Sequence, residues 1–295
     1  MKQSTLRPAS YRMAKLYLLS DNYFRPLHSS AITDITRADV ASCLNRIIRD
    51  SGRVTAHMAR SALSSLYTWA LKQGIVEQNP VIGTEDPGPA KSRERVLKDG
   101  ELAAIWRACG NGDDDYSRII KLLICTGCRD EIGGLRQSEI ELDSGTITLP
   151  AKRVKNGQDH VLPLPPLTRS IIASIPQRDG RDHLFGTRSS GGHTGWDRCK
   201  KDLDARLAGE VVTDWVVHDI RRSVATRMAD LGVEPHVIEA AINHQSGHKA
   251  GVAGTYNRSR YEKQVRTALS IWCDHLQSII GGSGRKVVAF AHDRA

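Results

Sequence analysis

Aromatic side chains are scarce in this chain: three Phe, seven Tyr and five Trp, 5% of all residues. A single-strand nucleic-acid binder needs aromatic platforms on which bases stack, so that class is disfavoured. No apolar run has the length needed to span a bilayer, and the first residues hold no apolar core of a secretory signal. A G-x-x-x-x-G-K-[ST] loop is missing, and with it the usual mark of nucleotide-driven chemistry. No grouping of Asp, Glu and His resembles a two-metal phosphoryl site. Cys125 and Cys128 form a lone C-x-x-C with no second ligand pair at similar spacing, so structural zinc is not expected. The six cysteines are scattered, mostly in helical patterns, and read as small core residues of a reducing compartment. The expectation is a cytoplasmic protein with no membrane partner, no cofactor and no metal. Repeats and low-complexity tracts are also missing.

What is present is an ordinary globular composition, 40% apolar and 25% charged, over 295 residues, long enough for two domains. Lys and Arg number 42 against 33 Asp and Glu, a net charge of +9. Such an excess points to a polyanionic partner, most simply nucleic acid.

The first part reads as helices. Thr36 and Asp39 have capping-box form, Val40, Leu44, Ile47 and Ile48 recur at helical spacing, and Gly52 closes the run. A second helix starts near Thr55, with Met58, Ala62, Leu63, Leu66, Tyr67 and Ala70 on its buried face and Gly74 at its end. Residues 83–95 lose apolar periodicity, gather Gly and Pro, and end in Lys91, Arg93 and Arg95; they read as a linker with a basic end. Beyond it, short helices are expected around Leu102 to Trp106 and Ile119 to Leu123. A hairpin is expected of Thr146–Leu149 and Val161–Leu164, joined through Lys152 to Gly157. Helices then dominate: Leu167 to Ile175, Trp196 to Leu207, His218 to Leu231, Pro235 to Ile242 and Tyr261 to Ile280. The last carries an apolar stripe of Val265, Ala268, Leu269, Trp272, Leu276 and Ile280. Gly281, Gly282 and Gly284 interrupt it, and Val287 to Phe290 form a short strand-like run.

Breaking a phosphodiester without metal or ATP requires a nucleophile in line with phosphorus, cations on the non-bridging oxygens, and an acid for the leaving oxygen. The chain offers candidates for each. In Val217-His218-Asp219-Ile220-Arg221-Arg222, His218 and Arg221 are three apart and share a helix face. Arg129 closes Thr126-Gly127-Cys128-Arg129, and the guanidinium forks of Arg129 and Arg221 suit phosphate oxygens. Arg222 points elsewhere on the helix. His244 closes an Ile-Asn-His run, with His248 as its alternative. Tyr256 lies in a small-residue stretch, Gly251-Val252-Ala253-Gly254-Thr255, with Tyr261 as its competitor. Lys155 and its rival Lys152 occupy the basic turn of the hairpin.

In this order, an arginine, a basic hairpin, a His-x-x-Arg helix, a histidine and a tyrosine resemble the tyrosine recombinases, the phage and prophage integrases. The Tyr256-Asn257-Arg258 triplet is similar to that of a prophage integrase subgroup. The resemblance implies a mainly α fold with a small antiparallel β-sheet: a helical core-DNA-binding domain (1–82), a linker (83–95) and a mixed α/β catalytic domain with a C-terminal tail (96–295). It implies site-specific cutting and rejoining of DNA through a 3′-phosphotyrosyl bond. Tyr256 would be the nucleophile, Arg129 and Arg221 the phosphate clamp, and Lys155 the general acid. His218 would take the tyrosine proton or orient the phosphate, and His244 would be a second donor to it. The implied partners are a double-stranded core site and three further copies of the chain in a tetramer, with room for an accessory directionality factor. The tail past Gly281 would dock on a neighbouring protomer or pack on its own domain.

Two departures stand out. The family segment runs Thr-Gly-x-Arg-x-x-Glu, whereas Glu131 follows Arg129 by two, which would turn Arg129 by roughly 100° relative to a helix beginning after it. Position 137, often Trp in the family, is Gln137. Members of this subgroup also carry an N-terminal arm-site domain, and no segment here resembles one. Two alternatives stay open: a degenerate integrase that binds core DNA without cutting, and an enzyme similar to type IB topoisomerases.

Overall fold

The computed structural model describes residues 7–110, 114–188, 191–207, 209, 212–244 and 261–281. Tyr256, His248, the stretch 251–255 and the run 287–290 lie outside the described residues. The chain divides into two compact units, residues 1–93 and 94–295.

The first unit contains α1 (Pro8–Leu19), α2 (Arg37–Ser51) and α3 (Arg53–Lys72). α2 begins as expected: the Thr36 amide donates to Asp39 Oδ2 at 2.9 Å and the Asp39 amide donates to Thr36 Oγ1 at 3.3 Å. It stops at Gly52, whose φ of 85° suits glycine and lets α3 start at once. Val40, Cys43, Leu44 and Ile47 are buried on α2, and Ala56, Ala59, Leu63, Tyr67 and Ala70 on α3. Met58 does not join that face and is 45% exposed. It lies two residues past Ala56, about 200° around the helix from the buried stripe. Residues 84–87, which composition assigns to a linker, are held against α3. Arg53 Nη2 donates to the Pro87 carbonyl at 2.7 Å, Arg60 Nε donates to Thr84 Oγ1 at 3.0 Å, and His57 Nδ1 lies 2.7 Å from Asp86 Oδ1.

The second unit is mainly helical and includes a small antiparallel sheet. α4 (Asp99–Ala108) and α5 (Asp115–Thr126) precede β1 (Ile140–Glu141), β2 (Thr146–Leu149) and β3 (His160–Pro163). The sheet order is β1-β2-β3, with Ile147 opposite Leu162 and Leu149 opposite His160. α6 (Pro166–Ala173), α7 (Trp196–Arg206), α8 (Val217–Asp230), α9 (Pro235–Ala241) and α10 (Glu262–Ile280) follow.

α5 is buried almost all round, as an apolar helix at the centre of a core must be. α10 lies against it and against α4, α8, α9 and β3. Five of the six stripe residues are buried, Ile280 is half-buried, and Cys273 joins them. The fully buried Trp272 donates from Nε1 to the Ile124 carbonyl at 2.8 Å, so its one polar atom is satisfied. No described helix is long and apolar enough to cross a membrane.

Candidate active site

Two helices end side by side with left-handed residues. α5 stops at Gly127 (φ 64°), whose amide donates to the Leu123 carbonyl at 2.8 Å. A Cβ there would lie 2.9 Å from Ile242 Cγ2 and 3.0 Å from Val224 Cγ1, so glycine is required by space as well as by φ. α9 stops in a Schellman turn: the Asn243 amide donates to Ala240 O at 3.2 Å and the His244 amide to Glu239 O at 2.8 Å. The left-handed position is filled by Asn243 (φ 52°), asparagine being the side chain that best tolerates it. The carbonyls of Gly127, Ile242 and Asn243 are thereby left without helical partners, at the negative ends of two helix dipoles.

Arginines take them up. Arg221, 5% exposed on α8, donates from Nη1 to Gly127 O at 2.8 Å and also to Ile242 O. Its Nη2 is buried with no partner among the described residues. Burial first, then the neighbouring charge of Arg129, lowers its pKa to about 10, which leaves it cationic at neutral pH. Arg129 is half-buried and reaches Asn243 O from Nη1 at 3.5 Å. The shortened segment does not rotate it away. Arg129 is extended (φ −102°, ψ −164°) and Asp130–Gly134 forms a 3-10 helix, so the α-helical step of 100° per residue has no bearing there.

His218 is exposed three residues before Arg221. Partial desolvation, then the charges of Arg222, Arg221 and Arg129, hold its pKa below the usual imidazole value. Arg222 turns aside to Asp219, Nη1 to Oδ1 2.7 Å, while Asp219 Oδ2 accepts from the Val216 amide at 2.9 Å and caps α8.

The loop 150–159 between β2 and β3 carries Lys152 and Lys155, both exposed. Arg153 and Asn156 of the same loop face inward. Arg153 pairs with the buried Glu139 and donates to Glu131 O at 2.6 Å. Asn156 Nδ2 donates to Asn243 Oδ1. His160, 6% exposed, donates from Nε2 to the Ala241 carbonyl at 3.1 Å. Burial lowers its pKa to about 4, and Arg221 and Arg129 push the same way while the Ala241 and Ala240 carbonyls oppose.

Arg129 and Arg221 thus meet at the two helix ends, and His218 lies near enough for both charges to act on it. The Lys155 turn is bonded to the residue before His244, which is itself exposed. Tyr261 begins α10 with φ 51°, its ring 4.8 Å from that of His236. His160, Asn156, Asn243 and Arg153 are site neighbours that sequence reading missed. Asn156-Gly157 is a turn signal and Asn243 a left-handed candidate, but a histidine within a strand carries no local mark.

Residues 95–263 match a model described as the phage integrase family, and residues 2–86 match the phage integrase central domain. The chain is 26% identical over 281 residues to the prophage integrase IntZ of Escherichia coli strain K12, covering 93% of this chain and 68% of that protein. It is 30% identical over 274 residues to the prophage integrase IntA of the same strain, covering 90% of this chain and 65% of that one. A lambda integrase tetramer bound to a Holliday junction has the same fold, with a TM-score of 0.60 at 19% identity over 83% of this chain and 73% of that one.

Proposed function

Since the chain belongs to the phage integrase family, we propose that it cuts and rejoins double-stranded DNA at a specific core site through a 3′-phosphotyrosyl bond. The observation that carries this is the guanidinium pair. Arg221 presents a buried Nη2 with no partner among the described residues, beside the positive charge of Arg129. Two permanent cations with a free, desolvated donor suit the non-bridging oxygens of a phosphate, whose charge rises in the transition state.

The chemistry then runs through this chain's own groups. The phenolic oxygen of Tyr256 forms a bond to phosphorus, and the bond from phosphorus to the 5′ oxygen breaks. The leaving 5′ oxygen takes a proton from Lys155 Nζ. His218, whose lowered pKa favours the neutral imidazole, takes the phenolic proton. Arg129, Arg221 and His244 hold the phosphate. The phosphoester to tyrosine keeps the energy of the DNA bond, so the reverse step reseals a strand without ATP.

The region of residues 1–82 would hold the core duplex and residues 96–295 the chemistry, joined through residues 83–95. Four copies would assemble on two duplexes; the similar lambda integrase forms a tetramer bound to a Holliday junction. A directionality factor is an optional partner, and the working compartment is the cytoplasm of a bacterium. The test is a nicked core-site substrate that releases its 5′ fragment after cleavage. A covalent protein–DNA adduct should accumulate, and peptide mapping should place the phosphate on Tyr256. No adduct, or an adduct on Tyr261, overturns the reading.

A further inference from the structure

Lys155 is exposed on a long flexible stem, yet a general acid has to meet the leaving oxygen within a fraction of an ångström. The turn that carries it must therefore be registered to the phosphate clamp. We propose that Asn156 is a positioning residue for this acid, acting through Asn243. The inference rests on the reading of Lys155 given above.

The link is short. Gly157, at φ 70°, reverses the chain. Asn156, next to Lys155, donates from Nδ2 to the side-chain oxygen of Asn243. The main-chain oxygen of that same Asn243 faces Arg129 Nη1 at 3.5 Å. One residue thus meets the acid's turn with its side chain and the clamp with its backbone. This also explains an oddity of the Schellman turn. Glycine would adopt φ 52° with less strain, but glycine has no acceptor to offer Asn156. The loop has other inward contacts: Arg153 to Glu131 O and the buried Val154 hold the side before Lys155, and His160 to Ala241 O holds the far end of the hairpin, which leaves Asn156 as the inward contact just after Lys155.

Asn243→Gly keeps the left-handed backbone and the carbonyl, and removes only the bond to Asn156. Asn156→Ala removes the same bond from the other side. In the full chain, amide hydrogen exchange across residues 151–158 should quicken about tenfold in both variants, with Thr146–Leu149 unchanged. Unchanged exchange in the loop overturns the proposal whatever the cleavage results.

Cleavage supplies the second measurement. On a nicked substrate with the natural 5′ oxygen, each variant should form adduct about 10- to 100-fold more slowly, with core-site binding unaltered. On a substrate with sulfur in place of that bridging oxygen, both should match the unaltered chain. Sulfur leaves as a thiolate and needs no proton. Equal slowing on oxygen and sulfur would mean that the clamp, not the acid, had moved, and would overturn the proposal. Lys155→Ala in parallel separates the two failures. If it too gains nothing from sulfur, the acid assignment has failed. If it is rescued and the asparagine variants are not, only the positioning role has.

Discussion

Arg221 is fastened from Nη1 to the carbonyl oxygen of Gly127, 2.8 Å away and 94 residues earlier in the chain. The bond joins the end of α5 to the face of α8, and its other guanidinium nitrogen stays free among the described residues. Arg221→Lys removes the fork but keeps a cation. Adduct formation should fall by on the order of a hundredfold, since a donor aimed at the transition state is lost. Affinity for the core site, which comes mainly from basic contacts to many phosphates, should change little in a mobility-shift titration. Parallel losses in both would count against a clamp.

Gly127→Ala tests the seat itself. The new Cβ would press on Ile242 Cγ2 and Val224 Cγ1 at 2.9 and 3.0 Å, in a backbone region that alanine avoids. Strain and overpacking together should cost about 2–3 kcal/mol, read as a lower midpoint in urea. A midpoint equal to that of the unaltered chain would show that α5, α8 and α9 are not closed on one another as described.

His160 gives a pH signature. An unfolded imidazole takes up its proton near pH 6.5, while folded His160 resists down to about 4. As pH falls through that window the unfolded state gains a proton that the folded state does not, so stability is lost, by roughly 3 kcal/mol in all. His160→Gln keeps a donor for the Ala241 carbonyl and cannot titrate. Urea midpoints measured from pH 7 to 4 should fall more steeply for the unaltered chain than for the variant. Parallel curves would place His160 in a more solvated setting.

Tyr256→Phe should abolish adduct formation while leaving core-site affinity within about twofold, because affinity resides in the basic contacts. Cleavage by the unaltered chain should proceed in EDTA and without nucleotide. A strict magnesium requirement for the cleavage step, or adduct formed by the Phe variant, would refute the phosphotyrosyl mechanism.

How far the sequence carried these conclusions depended on whether a feature was local. The Thr36–Asp39 cap, the His218–Arg221 face and the α10 stripe each lie within a few residues and were legible. α1 was not, because Met13, Leu16 and Leu19 are 41%, 46% and 63% exposed and trace no inward stripe. β1, two residues long, is too short to show an alternation. A helical step does not describe the surroundings of Arg129, because the backbone there is extended and then 3-10. His160 and Asn156 find their partners 81 and 87 residues away, and no spacing rule reaches that far.

The oxygens that hold Arg221 and Arg129 all belong to peptide groups, so nothing in their chemistry depends on which side chains hang nearby. A lineage could exchange most of the surrounding residues and still inherit the same geometry, provided the main chain kept its route. The narrow points of that inheritance are Gly127 and Asn243, where the chain must turn left-handed to aim its oxygens. Drift outside these turns and the reacting side chains is free to rewrite which DNA is recognised, without reinventing how it is cut.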